Sequence, residues 1–152
     1  MRLTHTMIMM FIGSFLIQYF VMSPIMSYKT ENITNSLGKV YLSTLMGLFM
    51  ILLEIAMHDH QYDVFSVKNY AFVGGLILVV IYLYRTQKFI TDKQYLEEMI
   101  EHHSMALLTS EKIVKKTDNY DVAALSKNIL QNQTDEIIKM RDILSKLDHT
   151  NK

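Results

Sequence analysis

The chain has no cysteine, which removes disulfides, thiolate metal ligands and a cysteine nucleophile together. Its net charge is zero, and no block of basic residues is interleaved with aromatics, so the electrostatic footprint of a nucleic-acid binder is missing. No nucleophile–base pair, glycine-rich phosphate loop or nucleotide motif occurs, which leaves an enzyme the least supported class. Charge is scarce in the first part of the chain. Of 30 formal charges only 8 precede residue 85, and 22 fall in the last 68 residues. The two parts are composed for different solvents, and 152 residues leave room for a membrane anchor plus one small appended module.

The apolar part divides into three runs. Met7 to Met22 follows Arg2 and is broken only by Gln18 among strongly polar side chains; taken from Thr4 to Ser23 it reaches the roughly 20 residues that span a bilayer. Ser23-Pro24-Ile25-Met26 lacks the small-x-small pattern of a cleavage site, so the run reads as a retained helix rather than a signal peptide. Val40 to Met57 is apolar except for Ser43, Thr44 and Glu54, and Tyr70 to Tyr84 carries Tyr70, Tyr82 and Tyr84 at its ends as interfacial aromatics do. The expected anchor is residues 1–88, with spans at about 4–23, 40–57 and 67–84. Lys29 to Lys39 and His58-Asp59-His60-Gln61-Tyr62-Asp63 read as its short connectors.

After Arg85 the pattern becomes that of soluble helices. Thr91-Asp92-Lys93-Gln94 has the form of a capping box, and Leu96, Met99, Ile100, His103, Ala106, Leu107, Ile113 and Val114 follow at three-and-four spacing. Thr117 to Asp121 supplies turn and N-cap chemistry, and a second stripe runs through Val122, Leu125, Ile129, Gln133, Ile137, Met140, Leu144 and Leu147. The expected fold is all-α: three transmembrane helices, then an antiparallel hairpin over residues 89–152. Pivoting that hairpin near Asp118 sets His103 level with Gln133, Ile100 with Glu136 and Leu96 with Met140. Met99, His102 and His103 then share a face of the first helix, and Gln133, Glu136 and Met140 a face of the second. These six residues are the candidate metal site. Imidazole suits copper and zinc, and thioether selects Cu(I); the lack of thiolate disfavours structural zinc. Glu136 would orient an imidazole N–H or bind directly. The plain alternative is a core histidine satisfied by Gln133 or Glu136. A di-iron site needs Glu-x-x-His motifs, and here Met99 and Ile100 occupy the carboxylate positions.

The segment Met99-Ile100-Glu101-His102-His103-Ser104-Met105-Ala106-Leu107, followed by Gln133-Thr134-Asp135-Glu136-Ile137-Ile138-Lys139-Met140, resembles the paired signature of a bacterial domain-of-unknown-function family with a ferritin-like helical fold, which includes the CopM-type copper-binding proteins. The resemblance covers roughly Lys93 to Leu147. It implies a Met/His copper site at Met99, His102 and His103 faced by Gln133, Glu136 and Met140, on a ferritin-like half-bundle. Copper-binding relatives are typically periplasmic and carry the motif more than once, whereas this chain has one copy and an anchor.

Met46-Gly47-Leu48-Phe49-Met50 is similar over a short stretch to the Met-x-x-x-Met of Ctr-type Cu(I) transporters, though ordinary lipid-facing or packing methionines account for it better. Glu54 is a carboxylate in a span, where such groups mark a path or a partner unless they reach the interface. Met57, His58 and His60 form a further soft cluster that an aqueous connector also explains. The basic residues Lys29, Lys39, Arg85, Lys88 and Lys93 lie on the hairpin side against Arg2 and Lys68 on the other, which places the hairpin in the cytoplasm; the resemblance places it in the periplasm. The expected function is a multi-pass membrane protein, surrounded by lipid, that sequesters or hands on Cu(I) without turnover. A structural or partner-binding membrane protein and a Cu(I) transporter subunit using Met46, Met50 and Glu54 stand beside it. The broad apolar stripes predict self-association through the hairpin, at least as a dimer.

Overall fold

The computed structural model describes residues 3–150, which are all-helical, with no strand among them. Helix α1 (Leu3–Leu16) passes through a π turn (Ile17–Val21) into α2 (Met22–Met26). The widened turn lies just before Pro24, the one proline of the chain, which has no N–H for the carbonyl a turn back and crowds it with its ring. There follow α3 (Leu37–Tyr62), α4 (Val67–Arg85), α5 (Asp92–Lys116) and α6 (Tyr120–Thr150). Three helices are long and apolar enough to cross a membrane: Leu3–Met26, Leu37–Tyr62 and Val67–Arg85, of 24, 26 and 19 residues.

The second helix outruns the expected span. His58 to Tyr62 remain helical because the loop folds back on them: Asp59, only 5% exposed, accepts hydrogen bonds from Ser66 N (2.6 Å) and Ser66 Oγ (2.8 Å). The helix then stops at Asp63 in the left-handed region (φ 49), with Val64 N–H donating to Asp59 O, a Schellman ending. α4 ends the same way. Gln87 (φ 52) follows its last turn and Lys88 N–H donates to Leu83 O, so the third span does not run on into the hairpin. Five glycines serve the whole chain, and these helix ends are built without one, although glycine fits the left-handed position with least strain.

Residues up to Met22 form one compact unit with 37–90, and residues 23–36 form a second with 91–152. In the first unit α3 packs against both α1 and α4. Its α4 side is apolar: Leu48 and Ile55 cluster with Val73 and Ile77. Toward α1 it is small. Ser43 and Gly47 are buried one turn apart, the small-x-x-x-small pattern by which helices approach closely in a membrane. A Cβ on Gly47 would lie 2.6 Å from the Phe11 ring. Met46 points outward, 45% exposed, so the Met-x-x-x-Met motif flanks this contact rather than filling it.

In the second unit the expected capping box is present: Thr91 accepts from Gln94 N–H, and the Gln94 side chain returns to Thr91 N–H. α5 and α6 pack along an apolar seam of Leu96, Ile100, Leu107, Ile137 and Met140. Asn119 Oδ1 accepts from Val122 N–H (3.0 Å) and caps α6. Residues 23–36 are more than a connector: they lie as a strap along α5 and α6, with Ser23, Ser27, Asn32 and Ser36 buried.

Gly47→Leu is expected to destabilise the α1–α3 contact by about 1–3 kcal/mol through overpacking. Gly13 has nothing within 4 Å of its built Cβ, so Gly13→Ala should be neutral or slightly stabilising. Unfolding of the detergent-solubilised protein in increasing SDS compares the two, and equal effects would remove the close-approach role of Gly47.

Candidate metal centre

α5 presents His102 and His103 on adjacent positions, ring centroids 6.2 Å apart and tilted by 60°. His102 is exposed at the flank, while His103 turns into the edge of the seam, its side chain 14% exposed. Its Nδ1 lies 3.0 Å from Glu136 Oε2 on α6. That pair is close but not aligned for a hydrogen bond, so the buried Nδ1 is left without a hydrogen-bonding partner. Burial pushes the His103 imidazole below its usual range; Glu136 pulls it upward and His102 pushes it down again. The net effect favours the neutral ring, the form that binds metals.

The hairpin register differs from the sequence expectation. His103 meets Glu136 rather than sitting level with Gln133, a pairing centred between Asn119 and Tyr120 although the helix ends, Lys116 and Tyr120, are themselves centred on Asp118; side chains lean toward the N-terminus of their own helix, which offsets partners across an antiparallel pair. Lys93 and Asp148 close the open end at 2.7 Å, in line with that shift. Met140 is part of the core cluster, and Met99 is one of the partly buried residues packed against that cluster. Gln133 is half-buried one turn before Glu136. Among the described residues, no three His, Cys, Asp or Glu side chains converge on one point. A single chain therefore presents one half-buried imidazole beside one exposed carboxylate, with thioethers in the adjoining seam, short of the four ligands of a tetrahedral zinc site. The other soft cluster disperses: the His58 ring packs on Tyr62 (4.7 Å), its Nδ1 lies 3.3 Å from Asp59, and His60 is exposed.

Sequence reasoning missed the other flank of α5. Glu101, 5% exposed, and Ser104, fully buried, face the strap. Ser23 Oγ donates to Glu101 Oε1 (2.5 Å) and Thr34 N–H to Glu101 Oε2 (2.8 Å). Ser104 Oγ accepts from Tyr28 N–H (2.9 Å) and Asn32 Nδ2 (3.1 Å). Arg141 on α6 completes the clasp through Glu31 O (3.0 Å) and Asn32 Oδ1 (2.6 Å). The signal available in the sequence was a pair of polar residues three apart beside the apolar stripe, facing a connector rich in Ser, Thr and Asn.

Residues 83–151 match a domain of unknown function, DUF305. An uncharacterized protein of Acanthamoeba polyphaga mimivirus is 32% identical over 146 residues, 95% of each chain. The chain belongs to the DUF305 family. The viral match runs through the apolar half as well as the hairpin. No solved structure matches it.

An imidazole nitrogen buried without a partner costs stability, about 1–3 kcal/mol by general experience. His103→Leu is therefore expected to raise the unfolding midpoint of the chelator-treated protein, as followed by circular dichroism. A fall would mean that the ring is held for packing.

Proposed function

We propose that this DUF305 protein is a membrane-anchored binder of a soft metal cation, Cu(I), which it sequesters or hands on without chemical turnover. The observation that carries the reading is His103: a buried imidazole of depressed basicity whose Nδ1 has no hydrogen-bonding partner, next to a carboxylate, along a seam that holds two thioethers. Met99, His103 and Met140 would hold the ion, with His102 and Gln133 at the rim and Glu136 orienting or joining the imidazole. The donor chemistry fits Cu(I), which thioethers select.

The binding flank is also the flank left open. Val122, Leu125 and Ile143 are exposed along α6, and Ile113 along α5, on the side of the hairpin away from the strap. A second copy pairing there would cover them and bring a second His102–His103 pair to the site, supplying the donors that one chain lacks. The strap and the hairpin pack in one unit, so in a bilayer both belong on one side, and α3 and α4 must cross as a pair. The surplus of Lys and Arg flanking that side supports a cytoplasmic hairpin, and the family resemblance supports a periplasmic one.

In competition titrations of the full-length protein in detergent, His103→Ala should weaken Cu(I) binding more than His102→Ala. Met99→Leu with Met140→Leu should erase the preference for Cu(I) over Cu(II). Leu125→Lys, clear of the ligands, should halve the protein mass seen by light scattering. Wild-type protein that loses Cu(I) to a weak chelator would leave the hairpin a purely structural or partner-binding element.

The absence of cysteine gives a clean background for labelling. Single cysteines at Lys29 and Lys112 should react with an impermeant maleimide from one side of intact membranes, and one at Gln61 from the other. Labelling of all three from one side would refute the paired crossing.

A further inference from the structure

The strap and the hairpin meet through polar groups, and that sets how they can come apart. The seam of Leu96, Ile100, Leu107, Ile137 and Met140 includes no residue from 23–36. Among the contacts that join the strap to the hairpin are Glu101, Ser104 and Arg141 on the helices against Ser23, Tyr28 N–H, Glu31 O, Asn32 and Thr34 on the strap. Thr34 Oγ1 adds a bond to Glu97 O at 2.7 Å. Water can replace each of these bonds when the strap lifts, whereas exposed apolar surface would have no such substitute. One group is served badly by docking: Ser27 Oγ is buried without a hydrogen-bonding partner, a penalty that vanishes on release into water.

We infer that residues 23–36 are a releasable latch, which docks on α5 and α6 over Glu101 and Ser104 and detaches as a unit while the hairpin stays folded. In sequence the latch runs from the last turn of the first span-length helix (Leu3–Met26) to the start of the second (Leu37–Tyr62), so its docked and released states are a switch in how the hairpin is tied to the anchor. This is independent of whether the hairpin binds a metal.

Two backbone amides report the latch directly, because their acceptors are side chains: Thr34 N–H on Glu101 and Tyr28 N–H on Ser104. Hydrogen exchange of the full-length protein in nanodiscs, read by mass spectrometry and NMR, tests it. In the wild type, the strap amides should be protected but exchange faster than those of Leu107 and Ile137. Glu101→Ala should accelerate the Thr34 amide about ten- to hundredfold, the value of a lost bond to a charged acceptor, with α5 and α6 unaffected. Ser104→Ala should do the same for Tyr28, with a smaller factor, and it remains informative if Glu101→Ala fails to fold. Seam amides that lose protection in step with the strap would make 23–36 an inseparable part of the hairpin core. Strap amides that already exchange at the unprotected rate in the wild type would mean that the latch does not dock.

Discussion

A carboxylate can remain out of water only where donors come to it, and for Glu101 they come from Ser23 and Thr34, 78 and 67 positions earlier in the chain. Much in the second unit depends on that arrangement. On a helix, residues 101 and 104 lie to one side of the stripe formed by 96, 100 and 107, and residues 99, 102 and 106 lie to the other. Once the strap has taken the first side, the histidines and Met99 are left with the second. His103 falls at the margin of the seam, buried enough to lose basicity and close enough to α6 to meet Glu136. The same α5 turn carries Glu101 and Ser104 toward the strap and His102 and His103 toward the open flank.

The two units use different packing because they are composed for different surroundings. Where the surroundings are as apolar as the side chains, burial gives no drive, and close approach through Ser43 and Gly47 onto Phe11 takes over. In the hairpin the drive is burial of Leu96, Ile100, Leu107, Ile137 and Met140. The surface ion pairs Lys115–Glu111 and Lys146–Asp142 add little to that, being exposed and screened.

The local features were legible in the sequence. Thr91 and Gln94 form the capping box that their spacing implied, Asn119 caps α6 inside the expected turn, and the three apolar runs lie within three helices. What was not legible depended on distant or nonstandard geometry. Asp63 and Gln87 stop their helices in a conformation usually given to glycine, so no residue type announced the stops. The pairing differed because helical side chains lean toward the N-terminus of their own helix, so partners across an antiparallel pair do not sit at equal distances from the turn, and counting residues from the turn ignores that. The strap was read as a connector because its hydrogen bonds are to residues some seventy positions away, and periodicity carries no information about such partners. Of the candidate site, His103 with Glu136 and Met99 with the Met140 cluster come together, while His102 and Gln133 stay at its edge.

Filling one flank of the hairpin also limits how copies can add to one another. A two-helix element with apolar surface on both flanks can stack without end, each copy presenting a fresh face to the next, as open fibres do. Here the strap occupies one flank, held by Arg141 through Asn32 and with Ser23, Ser27 and Ser36 buried. On the pairing proposed above, growth from the remaining face would consume that face on both partners and then stop.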